Sequence, residues 1–157
     1  MNKITNYGYI KTVEEKAEVK ELLELLRQSM FKKEGFAKTL KANVPLKYSP
    51  LINLFIKRNV GKEGFEGSLE ALGSYLNELN ELNLTLAFEP SQEFLDNIYK
   101  WVTKNIGQDL ILNISVDPKI LGGTVISFGG YYLDYSLSKK LDRAFSEKKE
   151  EIRKLYE

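Results

Sequence analysis

Val116-Asp117-Pro118-Lys119-Ile120-Leu121-Gly122-Gly123-Thr124-Val125-Ile126-Ser127-Phe128-Gly129-Gly130-Tyr131-Tyr132-Leu133-Asp134-Tyr135-Ser136-Leu137 is a complete sentence of fold grammar. Asp117-Pro118 reads as a turn, because an Asp side chain bonds nearby backbone and Pro presets φ. Gly122-Gly123 permits a sharp reversal where Cβ atoms would crowd, so Gly122→Val is expected to destabilise this region by about 1–3 kcal/mol. Thr124–Phe128 and Tyr131–Leu133 read as two strands. Gly129-Gly130 between them supplies the positive φ values that a tight primed hairpin demands. Asp134 or Ser136 then caps a final helix.

Upstream, Leu110–Val116 reads as another strand, and Leu84, Leu86 and Phe88 alternate with Asn83, Thr85 and Ala87 as one more. Between these two lies a helix opened by Ser91 and closed by Gly107, bearing Phe94, Leu95, Ile98, Trp101, Val102 and Ile106. Trp101, inside a regular apolar stripe, is expected to pack on the sheet. The final helix runs from about Ser136 to Tyr156, with Leu137, Leu141, Ala144, Phe145, Ile152 and Leu155 on one side.

Before Asn83 the period is helical. Val19, Leu22, Leu23, Leu26 and Met30 repeat at three and four within Val13–Phe31, and Thr12 with Glu15 forms a capping box. A shorter helical segment is expected around Phe36–Ala42, stopped by Pro45. Ser49-Pro50 starts a helix carrying Leu51, Leu54, Phe55 and Val60. Gly61–Gly67 reads as a loop, and Leu69, Leu72, Tyr75, Leu76 and Leu79 line a further helix from Ser68 to Asn80. The expected class is therefore α+β: an N-terminal helical bundle over residues 1–82, then a small β-α-β-β-α domain with a C-terminal helix over 83–157.

Composition narrows the chemistry. The 157 residues contain no Cys and no His, so disulfides, thiolate zinc sites and imidazole-based nucleophilic catalysis are excluded. Lys+Arg total 23 against 22 Asp+Glu, which gives no strong pull toward nucleic acid or an anionic membrane. The last helix mixes Lys139, Lys140, Arg143, Lys148, Lys149, Arg153 and Lys154 with Asp142, Glu147, Glu150, Glu151 and Glu157, a solvated surface and not a phosphate track. Met1–Asn6 has no apolar core of a signal peptide, and no stretch approaches the length of a membrane span, so a soluble protein in a reducing cytoplasm is expected, with no direct membrane insertion. Gly61–Gly67 lacks the spacing of a phosphate loop. Asp117 and Asp134 are a conceivable acid–base pair, but both positions favour local turn and cap bonds. No catalytic residue, cofactor or metal is assigned. Phe145, Ile152, Leu155 and Tyr156 run on to the end of the chain. They either pack on the helical half or take a partner helix.

Val116-Asp117-Pro118, Leu121-Gly122-Gly123, Gly129-Gly130 and Asp134-x-Ser136, with Leu141 one turn further on, resemble the C-terminal signature of the ATP synthase delta subunit family, called oligomycin-sensitivity-conferring protein in mitochondria. The resemblance spans about residues 84–145. The helical half resembles a shortened or divergent form of the family's bundle. The resemblance implies a non-catalytic peripheral-stalk subunit of a rotary F-type ATP synthase, cytoplasmic and peripheral to the inner face of the plasma membrane. Its implied partners are alpha subunits of the catalytic head and the b-type stalk helices. Leu22, Leu26, Leu51 and Phe55 are then candidate head contacts, and Phe145, Ile152, Leu155 and Tyr156 candidate stalk contacts. Asp117, Pro118, Leu121, Gly122, Gly123, Gly129, Gly130, Asp134, Ser136 and Leu141 carry the family fold. The alternatives are a helix-binding adaptor unrelated to ATP synthase and, third, a small enzyme using Asp117 and Asp134.

Overall fold

The structure, a computed structural model, describes residues 8–30, 38–39 and 42–154, apart from the side chains of 58–63 and 150–152. It falls into two compact units, one of Met1–Asn80 with Lys100–Ile111 and one of Glu81–Tyr99 with Leu112–Glu157. The class is α+β, as expected: helices first, then a four-stranded mixed sheet with its helices. Most of the short segment expected around Phe36–Ala42 lies outside the described residues.

In the first unit, α1 (Val13–Met30) opens with the expected box in a shifted form. Thr12 Oγ1 accepts from Glu15 N at 3.3 Å, while Glu15 Oε2 reaches back to Lys11 N at 2.7 Å, one residue earlier than the usual reciprocal bond. Val19, Leu23 and Leu26 turn inward, as the spacing predicts. The next helix, α2 (Ser49–Glu78), has Pro in its first turn. Phe55 and Tyr75 are twenty residues apart, which a straight helix would stretch to about 30 Å; their ring centroids are 5.4 Å apart. The chain therefore doubles back at Gly64, where φ is 73° and ψ −167°. The seven-residue loop expected at Gly61–Gly67 contracts to this one non-helical residue, and Ser68 Oγ donates to the Gly64 carbonyl at 2.8 Å. One core joins α1 to both arms of α2 through Val19, Leu26, Leu51, Phe55, Leu72 and Leu76, with Ile10 and Ile111 completing it.

In the sheet, β1 (Asn80–Leu86), β2 (Leu110–Val116), β3 (Thr124–Phe128) and β4 (Tyr131–Asp134) lie in the order β2-β1-β3-β4. β1 begins earlier than the alternation suggests, because Asn80 N bonds Asp109 O and Leu82 is already buried. Asn113 donates to Asn83 at 2.8 Å and Thr85 shares a hydroxyl bond with Ser115 at 2.9 Å, a constant offset that makes β1 and β2 parallel. A parallel neighbour needs a crossover, and α3 (Gln92–Asn105) provides it. β3 pairs antiparallel with β1 (Leu84 opposite Ile126) and with β4 (Phe128 opposite Tyr131). Period-two alternation gives the sheet a polar face of Asn83, Thr85, Asn113, Ser115 and Ser127, and an apolar face whose Leu82, Leu84, Leu86 and Leu112 are buried.

Two expectations are corrected. Trp101 is 58% exposed, while Tyr99 and Val102 are the buried residues of that part of α3. An amphipathic stripe wider than the available cover leaves one edge in solvent, and Trp101 stands on that edge. The crowded glycine is Gly123, with φ 76°, where a Cβ would collide with the Tyr135 carbonyl. At Gly122 a Cβ would meet only Leu137 atoms at 3.7 and 3.8 Å, ordinary contact distance.

Candidate functional site

The stretch around the hairpin is built from local bonds. Asp117 Oδ1 accepts from Lys119 N at 3.0 Å and so caps the 3-10 turn Pro118–Ile120, while its own N–H bonds Leu86 O at 2.8 Å. Leu121 ends that turn in a left-handed conformation with φ 63°, its N–H held by Pro118 O at 3.0 Å. Gly129 and Gly130, at φ 56° and 83°, make the primed turn. Asp134 Oδ1 accepts from Ser136 N at 2.9 Å, and Ser136 Oγ accepts from Lys139 N at 3.2 Å as the N-cap of α4 (Leu137–Arg153). Ser136 and its amide, aided by Lys139, hold the Asp134 carboxyl below the usual carboxylate range. Both carboxylates of the conceivable acid–base pair are thus engaged in turns.

What this frame positions is α4. Its first N–H donates to the Gly122 carbonyl at 2.8 Å. Beyond that anchor its apolar stripe is open: Leu137 is 43% exposed, Leu141 37% and Phe145 65%. Leu121, Leu133 and Tyr135 of the same unit are exposed as well. Ile152 lies on the same helix with its side chain undescribed, and Leu155 and Tyr156 lie outside the described residues.

The helical unit carries a second feature. Leu22, Leu25, Pro45 and Tyr48 line a groove of about 320 Å³, with Glu18 and Glu21 on its rim. Tyr48 is a buried anchor whose hydroxyl donates to Glu18 Oε2 at 2.6 Å. Lys47 Nζ bonds the same oxygen at 2.9 Å and lies 4.5 Å from the Tyr48 ring centroid. Tyr48 first, then Lys47, hold the Glu18 carboxyl below its ordinary value. Tyr48 and Glu18 hold the Lys47 ammonium above its own, and burial, with Glu18, pushes the Tyr48 phenol up to about 12. Of the four candidate head residues, Leu26, Leu51 and Phe55 are closed inside the core, and Leu22 alone reaches the groove. Tyr48 and Leu25 are not among the candidate contacts read from the sequence, although Leu25 is one of the apolar positions of Val13–Phe31. Leu25 is an apolar residue on the polar side of α1, the signal that could have found it.

A helical unit with a small mixed-sheet unit, turn-bound carboxylates and an open apolar helix stripe defines a class: an α+β protein with an exposed apolar helix face. The family model described as ATP synthase delta (OSCP) subunit matches residues 6–147, and the chain belongs to that family. It is similar to the ATP synthase subunit delta of Desulforudis audaxviator, 26% identical over 143 residues, covering 87% of this chain and 76% of that protein. The ATP synthase subunit delta of Francisella tularensis subsp. novicida is 28% identical over 74 residues, 47% of this chain and 42% of that protein. No helix among the described residues is long and apolar enough to cross a membrane.

Proposed function

We propose that this chain is a non-catalytic stator subunit in the peripheral stalk of a rotary F-type ATP synthase, linking the catalytic head to the b-type stalk helices. The open stripe Leu137, Leu141, Phe145 on α4 carries the reading. Full burial of a large apolar side chain is worth about 1.5–3 kcal/mol; Phe145 forgoes most of that and the partly covered Leu137 and Leu141 a smaller share, which a docked helix recovers. Leu121 extends the same surface, and Ile152, Leu155 and Tyr156 continue the pattern in sequence. The head-facing surface is the groove of Leu22, Leu25, Pro45 and Tyr48, whose lining suits a segment with apolar residues and, with Glu18 already bonded to Lys47, a basic residue opposite Glu21. Work of this kind is mechanical and needs no reactive side chain, in keeping with a chain that has neither Cys nor His. As part of such a complex the chain would sit peripherally at the cytoplasmic face of the membrane.

The test is binding of the full chain to two synthetic peptides, one from the C-terminal end of the b-type subunit and one from the N-terminus of the alpha subunit. Stator contacts should be tight, at about nanomolar Kd. Binding to neither peptide would remove the reading and favour an adaptor for another helical partner.

A further inference from the structure

We propose that four charged residues flanking the α4 stripe fix the axial register at which a partner helix lies along it. This rests on the stalk-helix reading above. Residues seven apart share one side of a helix, because two turns bring the side chain back to within about 20°. Lys140 and Glu147 therefore flank Leu137, Leu141 and Phe145 on one side, and Asp142 and Lys149 flank them on the other. All four are exposed, and among the described residues none of them makes an ion pair. Each flank reverses sign after seven residues, and the two flanks run in opposite order.

This pattern does what the apolar stripe alone leaves undone. Seven residues after Leu137 and Phe145 stand Ala144 and Ile152, with Lys148 seven after Leu141, so a partner helix that slides by one heptad, about 10 Å, keeps apolar cover at two of three positions. With alternating flanks the same slide sets Lys140 against the charge meant for Glu147, and Asp142 against the charge meant for Lys149. Attraction then becomes repulsion on both sides at once. The occupant that fits is an amphipathic helix whose own edges alternate in sign with the same seven-residue spacing. For a clamp under torque, resistance to axial slip is the relevant property.

The experiment measures binding of the full chain to the synthetic peptide from the b-type C-terminal end by calorimetry, at low and high salt, with sedimentation as a check on self-association. Asp142→Lys with Lys149→Asp keeps net charge and reverses one flank; Lys140→Glu with Glu147→Lys does so for the other. Each exchange should raise Kd about tenfold at low salt, from two pairs turned from attraction to repulsion, and the difference should shrink as salt is added. Melting temperature and helicity should stay at wild-type values, and if one exchange unfolds the helix the other gives the same comparison. Equal affinity of wild type and both exchanged variants would overturn the register inference and leave the stalk reading standing. No binding by wild type overturns both. A wild-type dimer that either exchange abolishes would show that the occupant is a second copy, and would overturn the proposal as well.

Discussion

At the scale of single residues, Gly123 and Tyr48 show how little chain holds a local geometry. Gly123 combines positive φ with the Tyr135 carbonyl where a Cβ would stand, and backbone on the receiving side has little room to give. Gly123→Ala should therefore lower stability by about 1–3 kcal/mol, whereas Gly122→Ala should stay within about 0.5 kcal/mol; paired thermal melts distinguish the two glycines. Tyr48 gives a titration signature. Its phenol, raised to about 12 by burial and by Glu18, should ionise later than an ordinary tyrosine in an absorbance titration, and Tyr48→Phe should remove that late step. A raised folded-state value means the stabilisation is complete below the unfolded value of about 10 and is lost as pH climbs toward about 12. Glu18 works in the other direction. Its lowered value makes its contribution full above the unfolded value, about 4.3, and lost as pH falls through the folded one. The melting difference between wild type and Glu18→Gln should accordingly be constant near neutrality and fade in acid.

At the scale of elements, α4 and α2 are each decided by a few end groups. Ser136 is buried and caps α4 through Lys139 N. Ser136→Ala should cost about 1 kcal/mol, read as a lower melting temperature and lost helicity in the C-terminal helix. Asp134 supports the same cap from two residues upstream, and its lowered carboxyl value makes that support full above the ordinary Asp value and lost as pH falls through the folded one. In α2 the reversal at Gly64 lets Phe55 meet Tyr75, so a long helical run in the sequence becomes a hairpin with one core face. Sequence periodicity identified both arms but overstated the loop between them, since the glycines at 61 and 67 remain within the helical run.

At the scale of the molecule, apolar residues divide into those that hold the chain together and those left for others. Phe55, 1% exposed, is of the first kind, and Phe145, 65% exposed, of the second. Phe55→Ala should lower stability by about 3–5 kcal/mol through an unfilled cavity. Phe145→Ala should leave the melt within about 0.5 kcal/mol of wild type while weakening the stalk-peptide complex. Equal effects of the two substitutions on melting would mean that α4 is covered by the chain itself.

Whatever short-range chemistry governs is legible along the chain. Pro118, the Gly129-Gly130 turn, the Thr12–Glu15 box, a cap at Asp134 or Ser136 and the period change near Asn83 act within a few residues, and the elements follow from them. The ordered set from Val116 to Leu137 carried the family as well. Which apolar faces are covered is settled by the packing of distant segments. Leu26, Leu51 and Phe55 resemble Leu141 and Phe145 in sequence, as Trp101 resembles Val102, yet their surroundings are opposite. Periodicity states that a helix has an apolar side, but burial depends on residues brought near from elsewhere in the chain. Gly123 is crowded by a carbonyl twelve residues downstream, Phe55 is covered by a ring twenty residues away, and neither neighbour can be read from the residue it touches.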